Sequence, residues 1–285
     1  MNLPDLFTTW LAHRARMAEL GLIAWSTHGN QSDIAGRLAR GLGPVDLAGL
    51  RKSHLELYVG TRRQTCRPIT VAAELNVLRQ ALNWAVDEGL LAQRPRFPVV
   101  SVPNVEKPLP ADDDYAWYLR TMPPAHGDAL QFMLLTGLSP HELSRLQPRD
   151  FDSVTGEVAI GGRPDFAVKQ PSRRRRVPLN RAAETIWIKW TIGLPADRLV
   201  FPQPGTLQKA MRRHYLARSD APAGADGLTP KMMRKWFASK VASEHSEAVL
   251  QRLLGHAPGS PITRKHYVRS TDDQLGAAVN GVRLG

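Results

Sequence analysis

Residues 94–114 read RPRFPVVSVPNVEKPLPADDD, a stretch with five prolines and no helical period. Each proline lacks an amide donor and biases the residue before it away from helical backbone, so this segment cannot continue a helix. It predicts an extended linker between two folded parts, and 285 residues are enough to give each part a core of its own. The expected division is 1–95 for a first domain, 96–111 for the linker and 112–285 for a second domain.

Both sides of the linker are dominated by helical periodicity. Ahead of it, Leu6, Trp10, Leu11, Met17, Leu20 and Leu22 recur at helical spacing, as do Leu75, Leu78, Leu82, Trp84, Val86 and Leu90 further on. With SDIAGRLARGL and DLAGLRKSHLELYVGTRR between them, and Asp46 as an N-cap, the reading is four or five short helices. Past the linker, helices are expected at 112–121, 126–137, 140–147, 180–192, 205–218, 229–243 and 245–254. The stretch from Phe151 to Leu179 changes to alternation in FDSVTGEVAI, DFAVK and RRRRVPL, broken by Gly161-Gly162. That predicts about three antiparallel strands, so the fold class is mainly α with a small antiparallel β-sheet.

Charge bounds the partner. Thirty-eight Lys and Arg against 26 Asp and Glu give a formal charge of +12, which favours a polyanion, because neutralising phosphates releases counterions. The single cysteine, Cys66, excludes an intramolecular disulfide framework and a Cys-rich zinc site, and it suits a reducing cytosol. The amphipathic opening MNLPDLFTTWLAHRARMAEL lacks the apolar run of a signal peptide, and no window is apolar enough for a membrane span. The expectation is a cytoplasmic protein without a membrane partner.

Four segments carry candidate chemistry. LLTGLSPHELSRLQPRDFD (134–152) contains Thr136, Gly137, Leu138, Ser139, Glu142 and Leu143; AVKQPSRRRRVPL (167–179) contains Lys169 and the run Arg173, Arg174, Arg175, Arg176. LTPKMMRKWFAS (228–239) contains Lys231, Arg234 and Lys235; LLGHAPGSPITRKHY (253–267) places His256 eleven residues ahead of Tyr267. Order and spacing together resemble the catalytic domain of the tyrosine recombinases, the phage-integrase family that cuts and rejoins DNA. The first hundred residues, including TVAAELNVLRQALNWAVDEGLL, are similar to that family's helical core-binding domain.

The resemblance implies a helical core-binding domain and an α+β catalytic domain clamping duplex DNA in a C shape, as a tetramer on two sites, with no cofactor or metal. Tyr267 would be the nucleophile, attacking the scissile phosphate to form a covalent 3′-phosphotyrosine. A phenol has an ordinary pKa near 10, so its oxyanion must be stabilised or its proton removed during attack. Arg234, at the invariant arginine of the H-x-x-R-H box, would stabilise the transition state with His256 and Lys231. Lys231 and Lys235 occupy the two histidine positions of that box, which keeps a cation for phosphate but offers no neutral acceptor near pH 7. Lys169 would protonate the departing 5′ oxygen. The arginines 173–176, with Lys235, would hold the DNA backbone rather than read bases.

One position departs from the family pattern. Ser139 stands where the T-G-L-R-x-x-E-L box has its first catalytic arginine. Losing one preorganised donor to a developing oxyanion costs about 2.7–4 kcal/mol, roughly a hundred- to thousandfold in rate. Arg145, if a helix ran through it, would be rotated roughly 120° and displaced about 9 Å, pointing elsewhere. An arginine from 173–176 or from a partner subunit is geometrically easier, and Glu142 is read as a buttress. Ser139→Arg should raise cleavage if the site is otherwise intact, whereas an unchanged rate would show another group already filling the place. The alternative is a catalytically impaired relative that binds DNA as an accessory or regulatory protein. A topoisomerase using the same phosphotyrosine chemistry fits less well, because SPITRKHY follows integrase phasing.

Overall fold

The first helix, α1 (Leu3–Glu19), starts where the Asn2 side chain accepts a hydrogen bond from the Asp5 amide at 2.9 Å, satisfying one of the free donors of its first turn. This is a computed structural model, and it describes residues 1–103, 109–166, 168, 170–257 and 260. Two units result, Met1–Glu106 and Lys107–Gly285.

In the first unit α1 is followed by α2 (Trp25–Leu42), α3 (Lys52–Arg63) and α4 (Pro68–Asp87). Leu6, Trp10, Leu38, Leu55, Leu75, Leu78 and Leu82 close its core. Leu20, Leu22 and Leu90, expected to pack, are 73%, 64% and 42% exposed. The reason is local: α1 ends at Glu19 and α4 at Asp87, so these leucines sit past the helix ends, where the period of the stripe no longer applies. Asp46 does not cap a long helix either. It precedes a short 3₁₀ turn, Leu47–Gly49, makes no side-chain cap bond, and lies 3.5 Å from the Met1 ammonium.

The second unit contains α5 (Asp112–Thr121), α6 (Pro124–Thr136), α7 (Pro140–Leu143), β1 (Phe151–Asp152), β2 (Glu157–Ile160) and β3 (Arg175–Pro178). It continues with α8 (Arg181–Thr191), α9 (Pro204–Leu216), α10 (Pro230–Glu244) and α11 (Glu247–Leu254). Helix α6 is buried nearly all round, through Ala129, Leu130, Phe132, Met133 and Leu134, as befits a central helix. The sheet is antiparallel in the order β1-β2-β3, with Val158 opposite Val177 and Ile160 opposite Arg175.

Two expectations about segments change. FDSVTGEVAI forms two strands, not one, turning at Gly156, and Asp165–Phe166 lie in a turn and bend instead of a strand. The helix expected over 140–147 stops at Leu143, so the projection that sent Arg145 away from the site does not apply; its carbonyl accepts from Arg163 at 2.8 Å. Among the described residues, no helix is long and apolar enough to cross a membrane.

Candidate active site

The site is built around a buried carboxylate. Ser139 caps α7 through a reciprocal pair: the Glu142 amide donates to Ser139 Oγ at 3.3 Å, and the Ser139 amide donates to Glu142 Oε2 at 2.8 Å. That geometry turns the Glu142 side chain back over the start of α7, where it is 4% exposed. Two arginines from distant segments meet it there. Arg175 donates from Nη1 to Oε1 at 2.8 Å and from Nη2 to Oε2 at 3.3 Å, while Arg234 donates from Nη1 to Oε2 at 3.1 Å.

Both guanidinia are pinned from a second side by the end of α11. Arg175 Nε donates to the Leu253 carbonyl and Arg234 Nη2 to the Leu254 carbonyl, each at 2.7 Å. The last carbonyls of a helix have no partner within it and sit at the negative end of its dipole, so cations are stabilising there. Arg234 also donates to the Gly137 carbonyl at 2.9 Å. Gly137 ends α6 in the left-handed region (φ +66°), and a Cβ on it would lie 2.3 Å from the Phe237 ring. Only glycine allows the T-G turn and the R-K-W-F helix to approach this closely.

Electrostatics follow from this packing. Burial alone would raise the Glu142 carboxyl, but hydrogen bonding and charge from Arg175, with the charge of Arg234, outweigh it and bring the group down to about 2. His256 follows Gly255 and moves the other way from its ordinary value: burial, then the charges of Arg234, Arg173 and Arg175, push its imidazole down to about 4. It is therefore neutral at pH 7, with one N–H donor and one acceptor. Two fixed cations beside a neutral imidazole are suited to holding the oxygens of a phosphodiester.

Residues 111–274 match the profile of the phage integrase family. The chain belongs to that family. It is 32% identical over 217 residues to the tyrosine recombinase XerC of Salmonella typhi, covering 70% of this chain and 69% of that protein. Among solved structures it resembles the Tn1549 transposon integrase in complex with a circular intermediate DNA, with a TM-score of 0.77, 18% identity, and 98% and 99% of the two chains covered. It likewise resembles a lambda integrase tetramer bound to a Holliday junction, with a TM-score of 0.74, 16% identity, and 95% and 80% covered. At these identities the two structures show a shared fold.

In this integrase-family chain, then, the structure brings together Arg234, Arg175, His256, Glu142 and Ser139. Lys231 is exposed on α10, three residues and so nearly one turn ahead of Arg234, and Lys235 is half-buried. Lys169 and Tyr267 lie outside the described residues. The run 173–176 is not one surface. Arg174 is exposed, Arg176 is exposed and paired with Asp152 at 3.0 Å, Arg173 reaches to 4.0 Å from Glu142, and the Arg175 side chain is only 4% exposed. The inward turn of Arg175 was missed from sequence although a signal exists: strand side chains alternate, so Arg175 shares a face with the apolar Val177.

Gly255 sits at the hinge of the arrangement. It caps α11 with φ +67°, and a Cβ there would meet Arg173 Cα and Arg175 Nη1, both at 3.0 Å. Gly255→Ala is expected to cost about 1–2 kcal/mol from the left-handed backbone alone, and to displace Arg175 as well. Thermal unfolding and single-turnover DNA cleavage measure the two effects; a variant unchanged in both would mean that the hinge is not needed.

Proposed function

We propose that this chain is a site-specific tyrosine recombinase acting on double-stranded DNA. The observation that supports it most is the pair of guanidinia, Arg175 and Arg234, held by Glu142 next to the neutral His256 in a chain of the phage integrase family. In this reading Tyr267 attacks the scissile phosphorus. The new bond joins the phenolic oxygen to phosphorus as the phenolic proton passes to the lone pair of the neutral His256, the bond to the 5′ oxygen breaks, and Lys169 gives that oxygen a proton. Arg234 neutralises the non-bridging oxygens, Lys231 adds a cation, and His256 contributes a hydrogen bond plus a lone pair that the two lysines of the box do not offer. Rejoining is the same exchange in reverse, one phosphate ester for another, so the cycle requires no nucleotide or metal.

Lys235 with Arg173, Arg174 and Arg176 would contact the DNA backbone. The exchange of two duplexes requires four active sites, which agrees with the lambda integrase tetramer on a Holliday junction, so the working form is proposed to be a tetramer on DNA. The division into a core-binding domain (1–95), linker (96–111) and catalytic domain (112–285) is part of the same proposal.

A DNA duplex nicked just beyond the scissile phosphate tests the reaction, because the short product diffuses away and the covalent complex accumulates. The expected result is a protein–DNA adduct stable to denaturation. DNA binding without any adduct, at every enzyme concentration, would instead support the accessory DNA-binding role.

A further inference from the structure

We propose that Arg175 supplies the second phosphate-binding guanidinium of the site, doing from strand β3 what an arginine at position 139 does in the family pattern. The inference rests on the recombinase reading and extends it. Residue 139 is committed elsewhere: the Ser139 hydroxyl oxygen and amide are both engaged in the cap with Glu142. The group that joins Arg234 on Glu142 is Arg175, so the two cations share one carboxylate and neighbouring carbonyls at the end of α11. Shared anchors fix the guanidinia side by side, which is the arrangement two non-bridging oxygens require.

Arg175, its side chain only 4% exposed, also borders an open space. With His256, Arg174 and Arg252 it lines a cavity of about 650 Å³ between β3 and α11, roomy enough for a phosphodiester group. Its register explains why strand β3 can deliver it: opposite Ile160 and on the inward face with Val177, the side chain is directed under the sheet toward α7 rather than into solvent. A serine at 139 then has a positive use. It frees the start of α7 from a long side chain and lets Glu142 receive the arginine from the strand.

The test compares two nicked substrates in the full chain, one with an ordinary scissile phosphodiester and one with a methylphosphonate, whose methyl group replaces a charged non-bridging oxygen. The wild type must first form an adduct on the ordinary substrate; if it does not, the recombinase reading fails and not this inference alone. Arg175→Gln is expected to lose about 100-fold or more in adduct formation on the phosphodiester and to recover most of it on the methylphosphonate, where there is less charge to neutralise. Ser139→Arg is expected to give no gain in the wild type and to restore cleavage when combined with Arg175→Gln.

Equal loss on both substrates in a variant that unfolds at the wild-type temperature would make Arg175 a structural residue and overturn the proposal. A tenfold or greater gain from Ser139→Arg alone would overturn it too, by showing the place to be vacant. Should Arg175→Gln fail to fold, Arg175→Lys keeps the charge beside Glu142 and takes the same comparison: selective recovery on the methylphosphonate supports the assignment, and equal loss contradicts it.

Discussion

Glu142→Ala is expected to remove about 3–5 kcal/mol of stability, because it leaves two buried guanidinia facing each other without their counter-ion. For a unit of this size that corresponds to a fall of roughly 10 °C in the unfolding midpoint. The same change loosens the α7 cap and releases Arg175 and Arg234 together, so DNA cleavage should fall further than stability alone explains. Glu142→Gln separates shape from charge. In the wild type the Glu142 carboxyl sits at about 2 when folded and near 4.3 when unfolded. A depressed carboxylate stabilises above the unfolded value and loses that contribution as pH falls through the folded one. The wild type should therefore lose about 3 kcal/mol from this group between pH values near 5 and near 2, and Glu142→Gln should lack that component. Denaturant titrations of both proteins across the range measure it; identical pH profiles would mean that the carboxylate is not held as an ion.

Arg234→Ala carries the second large effect. Its guanidinium bridges three elements, the Gly137 carbonyl at the end of α6, Glu142 on α7 and the Leu254 carbonyl at the end of α11. No shorter side chain reaches all three. Removing it should lower the single-turnover cleavage rate by at least a hundredfold, the scale for loss of a preorganised donor to a developing oxyanion. Arg234→Lys should recover little, since an ammonium is a point charge with no planar fork. Affinity for duplex DNA should change far less, because many other basic residues contribute to a salt-dependent backbone interaction. A loss of affinity that fully accounts for the loss of rate would place Arg234 in binding alone.

Much of this could be read in the sequence, for identifiable reasons. The proline stretch and the helical stripes carry strong periodic or punctuating signals, and helices were found wherever such a stripe ran its full length. Errors gathered where a pattern outlasts its element. Leu20, Leu22 and Leu90 continue a helical spacing past helix ends, and α7 stops after one turn although SRLQ reads as helical. Strand content was right in number but misdivided, because FDSVTGEVAI holds a turn at Gly156 that alternation alone hides. Motif order singles out Arg234, His256 and Glu142, and the structure brings their side chains together. The inward turn of Arg175 is not legible there, since four consecutive arginines read as one charged surface until register decides that the third faces inward. The anomaly at Ser139, which sequence presents as a missing donor, is in the structure a helix cap on Glu142, and the donor proposed in its place stands on a strand 36 residues further along the chain.

The most direct measurement is to trap the covalent complex on nicked DNA, digest it and locate the modified residue by mass spectrometry, with Tyr267→Phe run in parallel. The account predicts a nucleotide phosphate on Tyr267 and no adduct in the phenylalanine variant. An adduct mapped to any other residue, or one that persists in Tyr267→Phe, would contradict it.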